Sequence, residues 1–326
     1  MRSALFQDAV LGKSRQAFQR LGVALPFLVI LGLVATAAPT LLEPSNIGQV
    51  LRQSSIVGVM ALGTTFVLIG GRVDLSIGSM LSLITMITID LHDRVGPGVA
   101  VVAALGVGLA IGIVNGVLVG FLRLNALIAT LAMLSLLQGA TMIYSNGRDL
   151  TVAAPTETWF AVIGRGQVYG IAVPILIFLG LAAILGFLLH KTSYGRRVFA
   201  VGGNETTSAY SGLRAPLIVA STYVISGLTT AVAALIIGSR VMGAQTNTGV
   251  GYEFEVIAAV ALGGTSFLGG SGSIAGSVIG VVILAFLQNG LLQMGLPYYL
   301  QWIVSWVIII LAVWTDAASK RKKVLV

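Results

Sequence analysis

No cysteine occurs among the 326 residues, so neither a disulfide framework nor a thiolate metal site or nucleophile is open to this chain. Charge is nearly as scarce. Charged side chains make up 9% of the sequence against 56% hydrophobic ones, with a mean hydropathy of +0.98, a balance that excludes a water-soluble globule with a polar surface. Histidine occurs only as His92 and His190. The turn Gly269-Gly270-Ser271-Gly272 has the outline of a serine-hydrolase turn, but a serine nucleophile needs a base within hydrogen-bond reach. His92 falls in a predicted loop and His190 at the end of a predicted span, so the glycines are read as a turn and no catalytic residue is assigned. A phosphate loop is missing too. Gly12-Lys13-Ser14 imitates its last three residues, yet Gln7 stands where the motif requires glycine, and no strand precedes it.

Long apolar runs are what the chain has instead. A bilayer core takes about 20 apolar residues per helix. Runs of that kind extend over about Leu21 to Ala38, Val50 to Ile69, Leu75 to Ile89, Val99 to Leu122 and Ala126 to Ile143. A second set covers about Val168 to Leu189, Pro216 to Ile237, Val256 to Leu268, Ile274 to Leu292 and Gln301 to Trp314. The expectation is an all-α membrane protein of about ten transmembrane helices in one domain, residues 21–315, between an N-terminal tail (residues 1–20) and a basic tail (residues 316–326). The third and eighth runs are short enough to be tilted, broken or re-entrant. A basic tail, an apolar run and Ala35-Thr36-Ala37 also fit a cleaved leader, but the lengths of the tail and the run favour a true first span.

A net charge of +8 suggests nucleic acid only until the basic residues are placed. With the N-terminus in the cytoplasm, one side collects Arg2, Lys13, Arg15, Arg20, Arg72, Arg123, Lys191, Arg196, Arg197, Arg214 and the Lys320 to Lys323 tail. The other side receives Arg94, Arg148, Arg165 and Arg240, with Arg52 near it, and the acids Glu43, Asp90, Asp93, Asp149, Glu157, Glu253 and Glu255. That asymmetry is the positive-inside bias of an inserted chain with both termini cytoplasmic, and nucleic acid is not expected as a partner.

Glycine, at 41 residues, is spaced in a pattern. Gly108, Gly112, Gly116 and Gly120 line one face of the fourth span, and Gly272, Gly276 and Gly280 begin the ninth. Both stripes predict close helix packing. Two glycine-faced helices five spans apart hint at an inverted repeat, as many transport folds have. A second echo sets Ala61-Leu62-Gly63-Thr64-Thr65-Phe66-Val67-Leu68-Ile69-Gly70 beside Ala261-Leu262-Gly263-Gly264-Thr265-Ser266-Phe267-Leu268-Gly269-Gly270, identical at six positions of ten.

The longest predicted cytoplasmic loop, residues 191–214, carries start and stop signals for a short helix. Asn204 is a candidate N-cap, Glu205 an acid at the positive end of the helix, and Gly212 a C-terminal cap with Pro216 beyond. A helix this short is marginal alone, so it must rest on its own membrane domain or on a partner. Asp74, at the junction of the second and third spans, reads either as a gate or hinge contact or as an N-cap of the third helix paired with Arg72. Asn115, Gln138, Gln288, Asn289 and Gln301 are the polar residues within spans, candidates for a sugar pathway or for interhelical hydrogen bonding.

Three motifs together, Gly70-Gly71-Arg72-Val73-Asp74-Leu75-Ser76-Ile77-Gly78-Ser79, Gly202-Gly203-Asn204-Glu205 through Ser211-Gly212, and Ala258-Ala259-Val260-Ala261-Leu262-Gly263-Gly264-Thr265-Ser266, resemble the ribose-type permease subunits of bacterial ABC importers. Arg72 departs from the aliphatic residue expected after the glycine pair. The resemblance implies a type II-like importer architecture in the inner membrane, a permease that pairs with a second copy of itself, and a monosaccharide or polyol as cargo. It also implies a separate cytoplasmic subunit that binds ATP and magnesium, so that this chain holds no cofactor, and a periplasmic sugar-binding protein. Gly202, Gly203, Asn204, Glu205, Thr206, Thr207, Ser208, Ala209, Tyr210, Ser211 and Gly212 then become the ATPase-coupling segment, and Arg72, Asp74, Gly78, Gly263 and Gly264 the candidate hinge and gate residues. A branched-chain amino-acid permease is the near alternative. An ion-coupled carrier would show mid-membrane carboxylates or broken helices around a cation.

Overall fold

The computed structural model describes residues 38–153 and 158–297, together with Gly32, Thr36 and, at the far end, residues 299, 300, 302–304, 306, 307 and 310. Most of the first predicted span, both tails and part of the tenth span with Gln301 lie outside the described residues.

Proline starts and left-handed or glycine stops set most helix bounds. Helix α1 (Pro44–Ile69) begins on proline and is capped by Gly70; α2 (Ile77–Val95) ends at Gly96, φ +97°; α3 (Pro97–Gly116) begins on proline again. A π turn, Val117–Phe121, extends α3. Helix α4 (Ala126–Ser145) is N-capped by Asn125, whose Oδ1 accepts from Leu127 N at 3.0 Å, and stops at Asn146 with φ +52°. A short helix α5 (Phe160–Arg165) precedes α6 (Val173–Lys191), and α7 (Ser193–Gly203) and α8 (Glu205–Tyr210) form the connection to α9 (Ala215–Val241). After α9 come α10 (Tyr252–Leu262) and α11 (Ile274–Gln293). A 3-10 turn (Pro39–Leu42) precedes α1, and two pairs of two-residue strands also form: β1 (Leu150–Thr151) with β4 (Gly243–Ala244), and β2 (Gln167–Val168) with β3 (Ile171–Ala172).

Six of these helices, α1, α3 with its π turn, α4, α6, α9 and α11, are long and apolar enough to cross a membrane. The expected third span is a full 19-residue helix, α2, but Ser79, Ser82, Thr85 and Thr88 on it are buried inside the bundle, so it is less apolar than its neighbours. The expected eighth span is an 11-residue helix, α10. At 1.5 Å per residue it reaches only about 16 Å, half of a bilayer core of roughly 30 Å. Glu253 and Glu255, expected in an outer loop, therefore lie within the first turn of α10.

The bundle is arranged for lipid as solvent. Helix α1 is buried for most of its length, whereas α3, α4 and α6 leave most of their surface open and show Val102, Ile128, Ile143, Ile184 and Phe187 on it. Lipid tails are as apolar as leucine, so such surface has nothing to gain from burial, and close packing must hold the helices together. The Gly108, Gly112, Gly116 and Gly120 stripe supplies it. A methyl group built on each would stand 2.5–2.7 Å from the carbonyl oxygens of Gly227, Tyr223, Ala220 and Pro216, so α3 and α9 run antiparallel with backbones in contact. Gly276 and Gly280 likewise meet the Gly263 and Ala259 carbonyls at the α10–α11 crossing, while Gly272 sits in the turn before α11.

Candidate functional site

The two ends of the bundle differ. Helices α7 and α8 lie at one end, beside the C-terminus of α1, the start of α2 and the turn between α3 and α4. The strand pairs and the N-terminus of α1 lie at the other.

At the first end three glycine pairs, Gly70-Gly71, Gly202-Gly203 and Gly269-Gly270, come together backbone to backbone. Gly270 N donates to Ile69 O at 2.8 Å. A methyl on Gly202 would stand 1.7 Å from Ile69 O and 3.0 Å from Gly270 N; one on Gly269 would meet Gly202 O at 2.5 Å and Gly71 Cα at 2.7 Å. Gly71, Gly269 and Gly270 also have φ between +69° and +82°, a region that glycine enters freely. The two segments of the six-in-ten echo therefore touch at their glycine turns, and the end of α7 is wedged between them.

Helix α8 projects from this junction. Asn204 is its N-cap, with Oδ1 accepting from Thr207 N at 2.8 Å, and Gly212 leaves it at φ +82°. The helix is six residues long, shorter than the predicted segment because Ser211 and Gly212 already turn away. Ser208 is buried against the bundle, whereas Asn204, Thr206, Thr207, Ala209, Tyr210, Ser211 and Gly212 are exposed, Tyr210 at 89%. Gly202 and Gly203 end α7, and their backbones meet the Gly70-Gly71 and Gly269-Gly270 turns, with Gly203 still exposed.

Arg72, the residue that departs from the family pattern, donates from Nη2 to Glu205 Oε2 at 2.5 Å. It does not pair with Asp74. That carboxylate is fully buried, with Oδ1 accepting from Ser76 N at 3.0 Å and Ser76 Oγ at 2.7 Å, and Oδ2 from Ser226 Oγ at 3.2 Å. Asp74 thus organises the turn ahead of α2 and ties it to α9, where Tyr223 also donates its hydroxyl to Val73 O at 2.9 Å. Asn115 completes the knot through Nδ2 to Ser76 Oγ at 2.8 Å, which makes it interhelical linkage. Gln138 is also engaged, through Nε2 to Thr246 O at 2.9 Å.

Gly78 lies in the first turn of α2, under the Glu253 carboxylate and the Gly249 carbonyl. Gly263 caps α10 against Gly276, and Gly264, at φ +81°, makes the bend that follows. The other surviving pair, Gln288 and Asn289, lines a separate cavity nearer the opposite end. Between α8, Arg72 and the α3–α4 turn lies an open cleft of about 740 Å³, bordered by Arg123, Leu127 and Pro216.

Helix α7 was not anticipated. Thr192 caps it, and Tyr194 fixes it to the bundle by a 2.8 Å hydrogen bond to Ser221 Oγ and by stacking on Phe66 at 6.3 Å. Burial pushes the Tyr194 phenol above its ordinary pKa, so it remains a hydroxyl. His92 is engaged by Thr158 and Asp93, and His190 by Gly186 O, so neither serves the Ser271 turn.

The chain belongs to the family described as the permease component of the branched-chain amino acid transport system, whose model matches residues 46–313. It is 40% identical over 294 residues to the ribose import permease protein RbsC of Escherichia coli (strain K12), covering 89% of this chain and 91% of that one. The corresponding Bacillus subtilis (strain 168) protein is 38% identical over 306 residues, 94% of each chain. The L-arabinose ABC transporter permease protein AraH of Azospirillum brasilense is 34% identical over 313 residues, 94% of this chain and 90% of its own. No solved structure matches. The chain is therefore a multi-pass inner-membrane permease subunit of an ABC importer, not an enzyme; ATP hydrolysis belongs to a separate subunit. These relatives are sugar permeases, and the branched-chain amino-acid alternative is set aside despite the family's description.

Proposed function

We propose that two copies of this chain form the membrane passage of a monosaccharide importer, and that α8 is the part gripped by the ATP-binding subunit. ATP and magnesium are bound by that subunit, and a periplasmic sugar-binding protein delivers the cargo. The single observation that carries this reading is the mounting of α8: a capped, outward helix standing on a backbone junction between the α1–α2 turn and the α10–α11 turn. Force applied to α8 reaches both turns without a flexible side chain in between, which suits a rigid-body coupling. The cargo follows from the relatives' names, ribose and L-arabinose.

The same reading puts the α8 end in the cytoplasm. Among the described residues, Arg72, Arg123, Lys191, Arg196, Arg197 and Arg214 gather at that end, while Arg94, Arg148, Arg165 and Arg240 lie at the other, as the positive-inside rule requires. In this reading the gate works about Arg72, Asp74, Gly78, Gly263 and Gly264. Deleting residues 204–212, or replacing Glu205→Lys to set two cations face to face at Arg72, is expected to abolish co-purification of the ATP-binding subunit while the chain still inserts. Normal co-purification of both variants would refute the role given to α8.

A further inference from the structure

Toward the end opposite α8, a cavity of about 150 Å³ lies between α1, α10 and α11. Its helices are apolar but its wall is not. Gln53 and Ser54 reach it from α1, Tyr252 and Glu255 from α10, and Gln288 and Asn289 from α11. A carboxylate within a membrane body is expensive and marks a functional site by default. Here it shares one void with three amides contributed by two other helices. Glu255 and Gln288 are hydrogen-bonded to each other. Asn289 Oδ1 accepts from Asn46 Nδ2 at 2.9 Å and from Gln293 Nε2 at 3.0 Å, and Thr40 Oγ1 donates to Gln293 Oε1 at 2.6 Å. A rim of neutral hydrogen-bonding groups therefore closes the cavity on the side of the α1 N-terminus.

The geometry points to a substrate chamber in the chain itself: a site for one small neutral polyol, whose hydroxyls meet Glu255, Gln53, Gln288 and Asn289 and whose carbon face rests on Tyr252. This rests on the sugar-permease reading and adds to it a place where the permease touches its cargo. Three properties select the ligand. The void holds roughly five waters at about 30 Å³ each, room for one monosaccharide-sized molecule and not for two joined rings. Hydroxyls donate to a carboxylate and both donate to and accept from amides, so this lining matches neighbouring hydroxyls group for group. Among the described residues no arginine or lysine lines the cavity, so the carboxylate of an amino acid would find no counter-charge there. A single acid is also too few for a metal, and no cluster of three His, Asp or Glu residues occurs among the described residues.

The absence of native cysteine permits a direct test. Single variants Gln53→Cys and Leu292→Cys report the chamber, and Tyr169→Cys, fully exposed on the β2–β3 turn, serves as control. The full importer, with ATP-binding subunit and binding protein, is reconstituted, and labelling by a small methanethiosulfonate reagent is timed with D-ribose, L-arabinose, D-xylose or L-leucine present. The sugar that the unmodified importer takes up is expected to slow labelling at both chamber positions fivefold or more, with no effect of leucine and no change at the control. Glu255→Gln is expected to raise the KM for that sugar tenfold or more, with kcat and subunit co-purification retained, because a site built to bind hydroxyls loses most when one partner is removed. Unchanged labelling at both positions, or protection by leucine, overturns the chamber while leaving the permease reading intact. Failure of the unmodified importer to take up any of the three sugars on ATP overturns the sugar-permease reading, and the chamber with it.

Discussion

One methyl group at Gly202 should uncouple the transporter. In Gly202→Ala the new carbon would lie 1.7 Å from Ile69 O, about 1.5–2 Å inside ordinary contact distance. It would also crowd the hydrogen bond that the same carbonyl accepts from Gly270 N at 2.8 Å. Neither α1, buried along most of its length, nor the Gly269-Gly270 turn can retreat without giving up other contacts, so α7 must lift from the junction. Overpacking of this kind costs about 1–3 kcal/mol and loss of the hydrogen bond about 0.5–1.5 kcal/mol, a local penalty of about 1.5–4.5 kcal/mol concentrated where α8 is mounted. The membrane helices should still insert, and the ATP-binding subunit should still bind. Sugar moved per ATP hydrolysed in proteoliposomes is expected to fall at least tenfold while hydrolysis continues. Gly203→Ala is the matched control, because a methyl there meets nothing closer than 4.0 Å and should be nearly silent. Wild-type coupling in Gly202→Ala, or equal damage from both variants, would refute the reasoning.

Other consequences are more modest or more global. The Arg72 and Glu205 side chains are about one-third exposed, so Arg72→Ile should cost only about 0.2–1 kcal/mol of stability, read as a small fall in melting temperature. A double reversal, Arg72→Glu with Glu205→Arg, should recover the co-purification that Glu205→Lys alone loses. Gly112→Leu, where a methyl already meets Tyr223 O at 2.7 Å, should separate α3 from α9 and lower thermal stability and yield in detergent by more than any of the loop variants. Ser226→Ala removes one donor from the buried Asp74 carboxylate, a loss of about 1.5–3 kcal/mol, and Asp74→Asn in the same background should return part of it in a thermal melt.

Much of the fold is legible in the sequence where a local rule applies. Spans long enough to cross the membrane announce themselves by length and apolarity, and Asn204 and Gly212 bound α8 by cap chemistry that needs only neighbouring residues. The glycine stripe at every fourth position predicts a close helix contact, although nothing in it names α9 as the partner. What escaped detection depends on distance along the chain. Arg72 meets Glu205 133 residues away, and Ser226 reaches Asp74 across 152, pairings that no local pattern encodes. Helix α7 is not legible locally because its Gly202-Gly203 end reads as a loop, whereas tertiary contact with Ile69 and Gly270 fixes it. The sequence alone puts Glu253 and Glu255 in an outer loop, because two acids near a span end normally lie there. Here they face inward, Glu253 over Gly78 and Glu255 into the polar cavity. The six-in-ten echo has its two glycine turns in contact, a proximity that similarity alone does not establish.

Sugar uptake by reconstituted vesicles tests most directly whether this bundle is driven from its α8 face. Vesicles carrying the chain, its ATP-binding subunit and its binding protein should accumulate sugar when ATP is supplied on the α8 side, and should not when given a proton or sodium gradient alone. Accumulation by the chain without the ATP-binding subunit, on a gradient, would contradict the account.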